Sequence, residues 1–340
     1  MSSTPPQNPS PRVTELDVAQ AAGVSRSTVS RILNGTARVT PDKRAAVEAA
    51  IRQLNYRPDH AARSLKMGRS MTVGVLVQDI ESPFFTRLLR GIEEGLAGSG
   101  YVAIIVTGHW NPVAEEERIQ LLMARRVDGL VVLAGHLPDS RLLALAEHQP
   151  IVVTGRTLAG PAVDGVWFDQ FEVGRMATRH LLDCGHRRIA HIAGPPDQAD
   201  AVARHAGYVK ALEESGLAPE PALIVRGDFT EIGGLLAMNR LLDGGVTFSA
   251  VFAANDQTAY GVRMALYRRG LRVPDDLSVI GVDDLPAAAL LTPAQTTVRQ
   301  PLYELGRYAA SSLLRMLGHD VALVQVPPLE LVIRETTRRI

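Results

Sequence analysis

The stretch Thr14–Asn34, TELDVAQAAGVSRSTVSRILN, decides the fold of the N-terminal part of the chain. Thr14 is a good N-cap for a short helix with Leu16, Val18, Ala19 and Ala22 as its apolar positions. Gly23 permits the positive φ of a tight turn, and Val24 plugs the angle behind it. Ser25 caps a second helix, whose apolar stripe is Val29, Ile32 and Leu33 at spacing i, i+3, i+4. Two short helices joined by a glycine-containing turn make a helix-turn-helix. A third helix follows, with Thr40 as its cap, Pro41 at its first position and Val47, Ala50, Ile51 and Leu54 on its core face. Together the three predict a small all-α headpiece.

The polar face of the second helix carries the chemistry. Ser25, Arg26, Ser27, Thr28, Ser30, Arg31 and Asn34 lie on or beside it. In a DNA-binding helix-turn-helix the second helix enters the major groove and presents its N-terminal side chains to base edges. Arginine can bind guanine O6 and N7 in a bidentate manner, which makes Arg26 and Arg31 the candidates for direct readout. The hydroxyl and amide side chains suit phosphate contacts, which set register without reading sequence. The bland alternative is a merely solvated helix. Against it, Ser and Thr compete for backbone bonds and are poor choices for a helix surface with no task.

Charge distribution agrees. The chain of 340 residues has no net charge, yet residues 1–70 carry eleven Lys+Arg against five Asp+Glu, and the remainder carries 25 against 31. A basic segment on a mildly acidic body predicts that the first segment faces a polyanion. The length predicts two or three domains, and 46% hydrophobic residues predict a real core. The longest apolar runs, such as Val73–Val77 and Leu130–Leu133, are far too short to cross a bilayer, so no membrane partner is expected. Met1–Arg12 is polar and Pro-rich and reads as a disordered arm, not a secretory signal. A single cysteine, Cys184, excludes an internal disulfide and agrees with a cytoplasmic location. The nine histidines form no metal-ligating pattern, so neither metal nor cofactor is expected.

The run LDVAQAAGVSRSTVSRILNG, with LNYRPDHAARSLKMGRS at Leu54–Ser70, closely resembles the headpiece and hinge of the lactose-repressor (LacI/GalR) family. The likeness continues through IGVDD-like and ANDQ-like segments at Val279–Asp284 and Ala254–Gln257 and through TTVRQP at Thr296–Pro301. It thus spans nearly the whole chain. The resemblance implies a transcription regulator, most simply a repressor, and a hinge at Asp59–Met67 that forms a helix on operator DNA and pushes Leu65 into the minor groove. Inserting such a wedge costs a few kcal/mol of unstacking, offset by contacts on bent DNA. A helix this short is marginal alone, which suits a switch. Without the resemblance the segment reads as a linker.

After Gly68 short β-branched runs alternate with amphipathic segments. Val73–Val77, Val102–Val106, Gly129–Leu133 and Ile151–Val153 alternate with helices from Pro83, Pro112 and Asp139. From Val166 a second series has strands near Ile189–Ile192, Leu223–Val225, Ala250–Phe252 and Ser278–Gly281. Near-continuous apolar strands between helices predict parallel sheets covered on both faces, hence an α/β body of two doubly wound lobes. The resemblance likens this body to periplasmic sugar-binding proteins and implies that the chain returns to the first lobe after Gln300. The expected organisation is an arm at 1–12, the headpiece at 13–58, the hinge at 59–70 and the body at 71–340. Within the body, the first lobe takes about 71–168 and 301–328 and the second about 169–300 and 329–340.

Ligands bind beyond the carboxyl ends of strands in such sheets. The polar and aromatic residues there are Asp79, Phe84 and Phe85 after the first strand and Thr107, His109, Trp110 and Asn111 after the second. The resemblance implies effector contacts for Arg204, Asn255 and Asp283, with Gln300 a weaker match. An arginine with a carboxylate and an amide suits vicinal hydroxyls, and Phe84, Phe85 or Trp110 offers a platform for a ring. Plainer roles stand beside these: Asn255 as a helix N-cap, Asp283 and Asp284 as turn caps, Arg204 as a surface arginine, and Phe84 and Phe85 as core. Where relatives often carry Asp-Asn and a later glycine, this chain has Asp169, Gln170 and Val173, which unsettles the usual contacts of that loop.

The sequence contains no GxSxG elbow, no GxxxxGK[ST] loop and no strand-linked GxGxxG. A carboxylate pair such as Asp256 and Asp283 does not by itself make a glycosidase. An enzyme or a solute-binding protein leaves the helix-turn-helix unexplained. The expected partners are double-stranded operator DNA, a small effector (sugar-like favoured over a purine or nucleoside) and a second copy of the chain. The segment Val332–Ile340 has no apolar heptads for a tetramerising coiled coil, so a homodimer is expected.

Overall fold

The computed structural model describes residues 13–33, 39–56 and 68–340. The chain divides into two units, Met1–Ser70 and Met71–Ile340. The expected arm at 1–12, Asn34, and the hinge segment 59–67 with Leu65 lie outside the described residues.

In the first unit, helices Glu15–Ala21, Arg26–Leu33 and Pro41–Gln53 pack around Val18, Ala19, Val29, Ile32, Val47, Ala50 and Tyr56. The first helix opens with a capping box: the Asp17 N–H donates to Thr14 Oγ1 at 3.4 Å and the Thr14 N–H donates to Asp17 Oδ2 at 2.7 Å. Gly23 turns the chain at φ +63°, a conformation that glycine adopts without steric cost. Ser25 Oγ accepts the Thr28 N–H at 3.2 Å. Two expectations fail locally. Leu16 is 52% exposed, because a helix this short buries only the stripe facing its two neighbours. Thr40 makes no side-chain cap bond; Pro41 has no N–H to satisfy at the first position, so that helix starts without one.

The second unit holds two six-stranded sheets. The first comprises β1 (Thr72–Val77), β2 (Val102–Thr107), β3 (Gly129–Leu133), β4 (Ile151–Thr154), β5 (Ala159–Gly160) and β6 (Val163–Val166), in the order β2-β1-β3-β4-β6-β5. The second comprises β7 (Ile189–Ala193), β8 (Ile224–Arg226), β9 (Ala250–Ala253), β10 (Ser278–Asp283), β11 (Thr296–Arg299) and β12 (Glu330–Val332), in the order β12-β11-β10-β9-β7-β8. All pairings are parallel except β5 with β6 and β11 with β12. β3, β4, β7, β9 and β10 are buried end to end, as their apolar runs require. β2 departs from the expected burial: Val102 and Ile105, on opposite faces, are both exposed on an edge strand that has a neighbour on one side only.

Three helix pairs cross through facing glycines. A Cβ on Gly91 would lie 2.1 Å from the Tyr303 carbonyl oxygen, one on Gly174 2.0 Å from that of Arg204, and one on Gly234 2.2 Å from that of Thr258. Their counterparts Gly306, Gly207 and Gly261 meet the opposite backbone as closely. Helices Pro83–Leu96 with Leu302–Met316, Gln170–Asp183 with Ala199–Glu214, and Glu231–Asp243 with Asp256–Arg268 therefore touch backbone to backbone. The first pair also shows that the chain, having formed the second sheet as far as β11, returns to pack on the first, then re-enters the second as β12.

Candidate effector cavity and DNA-reading helix

A cavity of about 350 Å³ lies between the two sheets, at the carboxyl ends of their strands. All eight residues singled out for effector contact line it: Asp79, Phe84, Phe85, Trp110, Arg204, Asn255, Asp283 and Gln300. Trp167, Phe168 and Phe229 add aromatic surface, and Gln170, Gln198, Asp200, Asp228 and Thr230 add polar groups.

The first-lobe wall is aromatic and held by polar clamps. Phe84 meets Phe85 edge-on with centroids 5.1 Å apart, and Phe85 lies 6.1 Å from Trp110. Phe85 is core, only 4% exposed, and also borders the cavity. His109 and Trp110 both adopt positive φ, near +54° and +55°, uncommon for residues with side chains. Gln78 Oε1 holds this turn by accepting the Trp110 N–H at 2.8 Å, and the Trp110 carbonyl lies 2.9 Å from His136 Nδ1. Asp79 is exposed and accepts the Glu81 N–H at 2.9 Å.

A directional polar relay crosses the floor. Arg204 Nε donates to Gln170 Oε1 at 2.8 Å, Gln170 Nε2 to Gln300 Oε1 at 2.8 Å, and Gln300 Nε2 to Asp283 Oδ1 at 2.6 Å. An arginine only donates and an ionised carboxylate only accepts, so the two ends fix both amide orientations. Arg204 is buried rather than a surface arginine; it also donates to the Ala254 carbonyl at 2.7 Å and sits 5.7 Å from the Phe229 ring centroid. Asp283 ends β10 at φ +109°. Burial, with a contribution from nearby Asp200, pushes its carboxyl up to about 6 against the opposing pull of Arg204 and Gln300. Asn255 lines the cavity and is spent as a cap: its Oδ1 accepts the Thr258 N–H at 2.9 Å and its Nδ2 donates to the Phe229 carbonyl at 3.0 Å. Across the cleft, Ser82 Oγ donates to Gln257 Oε1 at 3.1 Å.

Two other acids are structural. Asp256 does not line the cavity; it accepts the Leu285 N–H at 2.9 Å, the Thr297 hydroxyl at 2.8 Å and the Gln295 amide at 3.1 Å. Complete burial and neighbouring Asp283 nonetheless push its carboxyl up to about 8. Asp284 pairs with Arg299 at 2.7 Å and Arg334 at 2.6 Å. Of the lining residues not foreseen, Gln170 was visible only as a departure from a pattern. Phe229 follows the exit of β8, where the same strand-end rule applies.

On the headpiece, Ser25 just before the second helix and Arg26, Ser27 and Arg31 on it are exposed, while Thr28 and Ser30 are half-buried. Arg26 rests 3.4 Å from Glu15, an exposed pair of little strength that leaves the guanidinium available.

Two family models match the chain: "Bacterial regulatory proteins, lacI family" over residues 16–59 and "Periplasmic binding proteins and sugar binding domain of LacI family" over residues 70–330. The chain belongs to the LacI family, as a DNA-binding transcriptional repressor with an effector-binding body, and it is not an enzyme. Among its relatives is the HTH-type transcriptional repressor PurR of Haemophilus influenzae, 36% identical over 331 residues, covering 95% of this chain and 98% of that one. PurR of Erwinia tasmaniensis is 39% identical over 302 residues, 88% of each chain. Among solved structures, the lac repressor dimer bound to operator and the anti-inducer ONPF is 30% identical, with TM-score 0.82 over 96% of this chain and 99% of that one. The complex of the regulator CelR with cellobiose is 35% identical, with TM-score 0.69 over 96% of this chain and 100% of that one. No helix among the described residues is long and apolar enough to cross a membrane.

Proposed function

We propose that this repressor works as a homodimer whose operator affinity is set by a ring-shaped, hydroxyl-rich effector, a sugar or related polyol, bound between the lobes. The Arg204–Gln170–Gln300–Asp283 relay carries the reading, because it offers a donor and an acceptor within one aromatic-walled cavity. Alternating hydroxyls on a ring match such a set, and the apolar faces of the ring match Phe84, Trp110 and Phe229. The likeness to a cellobiose-binding regulator supports the same class.

Arg26 and Arg31 read bases, Ser25, Ser27, Thr28, Ser30 and Asn34 contact phosphates, and Leu65 acts as the minor-groove wedge. Exposed apolar side chains on β2 and three helices, among them Val102, Val113, Ile232 and Tyr267, provide the dimer surface. Effector binding shifts the lobes and thereby the hinge, in proportion to its differential affinity for the two states.

A second reading, a purine base, is favoured by the PurR relatives at 36–39% identity and by the several aromatic rings in the wall. The test is to select DNA from a random pool with purified protein and then titrate the selected operator complex with sugars and purines. A pseudo-palindrome released or tightened by a sugar supports the proposal. A response to purines alone transfers the site to the second reading, and failure to select any sequence contradicts the operator role.

A further inference from the structure

The cavity holds an unmatched negative charge. Its charged lining residues, apart from His109, are Asp79, Asp200, Asp228, Asp283 and the single cation Arg204. Asp79 and Asp228 are engaged at loop turns, with the Glu81 and Thr230 N–H groups respectively. Asp283 receives the Gln300 amide. Asp200 differs. Half-buried, it accepts no hydrogen bond among the described residues.

Asp200 sits in the first turn of helix Ala199–Glu214, where backbone N–H groups lack intrahelical partners. The N-cap of this helix is Gln198, whose side chain caps no backbone N–H, and Asp200 is the second residue inside it. Asp200 lines the cavity beside an arginine committed to Gln170 and the Ala254 carbonyl. A carboxylate partly withdrawn from water and without a protein donor favours a ligand that supplies one; burial raises its proton affinity, against the pull of Arg204.

We propose that Asp200 is a specificity-determining residue that selects an effector presenting an amino nitrogen to it, and that rejects an oxo, hydroxyl-only or anionic group at that position. This rests on the interlobe cavity being the effector site and deepens that assignment. On a sugar scaffold the amino group is an ammonium that pairs with the carboxylate; on a purine scaffold it is an exocyclic amine that donates to it. The nitrogen chemistry is shared, and the scaffold is a separate question.

Isothermal titration of the full-length protein with glucosamine against glucose, adenine against hypoxanthine, and glucose 6-phosphate reads both. Within whichever scaffold binds, the amino member should be tighter by about tenfold or more, the range for a hydrogen bond to a charged group. Glucose 6-phosphate should bind more weakly than glucose. Asp200→Asn, which keeps the shape and removes the charge, should bring the amino-to-oxygen affinity ratio to near one or invert it. An unchanged melting temperature would establish that this variant is folded. Equal affinity within the binding pair, a ratio that survives Asp200→Asn, or no binding by any of the five probes would overturn the inference. The scaffold that binds decides between the sugar and purine readings and leaves the ratio as an independent measurement.

Discussion

The relay between Arg204 and Asp283 makes a quantitative prediction through Gln170 and Gln300. Replacing Gln170 by leucine conserves volume and orphans two buried polar ends, Arg204 Nε–H and Gln300 Oε1. Replacing Gln300 by leucine orphans Gln170 Nε2 and removes the donor to Asp283 Oδ1. At about 1–3 kcal/mol per unsatisfied buried group, each single variant should lose about 2–6 kcal/mol. The double variant orphans only Arg204 Nε–H and Asp283 Oδ1, because the two inner ends disappear together. It should therefore cost no more than one single change, far less than the sum. Urea unfolding followed by tryptophan emission reads this cleanly, since both tryptophans, Trp110 and Trp167, line the cavity and the headpiece contains none. Protein concentration is held fixed so that association contributes equally. Strict additivity of the two single losses would refute the relay as a connected network.

Other perturbations test other parts of the molecule. Arg31→Ala should weaken operator binding by about 1–3 kcal/mol and relax selection at one base position, read by repeating the DNA selection; equal weakening on every sequence would mean a phosphate contact instead. Gly174→Ala, usually a mild change in a helix, places a methyl 2.0 Å from the Arg204 carbonyl and should destabilise the body by about 1–3 kcal/mol in thermal melts, whereas Gly216→Ala meets no neighbour and should show strain from its positive φ alone. Asp256 predicts a pH dependence. Its folded proton affinity, near 8, lies above the ordinary carboxylate value, so its stabilising contribution is full at low pH and is lost as pH rises through about 8. The buried histidines His180, His186 and His191 are shifted the other way, chiefly by burial, and above about pH 7.5 are almost wholly neutral in both states. Between pH 7.5 and about 9 the urea midpoint should therefore fall, and it should fall less in Asp256→Asn; a rising midpoint would contradict the assignment.

Much of this was legible in the sequence because the relevant signals are local. Caps and prolines fixed the helix starts at Pro83, Pro112 and Asp139 to the residue, and apolar runs located the central strands. The strand-end rule and the family likeness together pointed to eight residues that all line one cavity. What escaped was set by partners distant in sequence. β11 reads as polar TTVR, yet Thr296 and Thr297 are buried because they bond Thr336 and Asp256. Leu16 and β2 looked buried because periodicity cannot tell which apolar face lacks a partner. Gln170 looked like an anomaly in a loop pattern until Gln300, 130 residues away, appeared beside it.

The glycine-mediated helix crossings have a mechanical consequence. With helix pairs in direct backbone contact inside each lobe, neither lobe has slack in which to absorb a ligand's push. Any strain introduced in the cavity must pass to the links between the lobes: the chain before Gln170, the chain at Gln300, and the segment leading into β12. The first two links carry the amides that are bonded to each other. The body is thus built less like a sponge than like a pair of rigid jaws on a short axle, and the torque a bound molecule generates has few places to go.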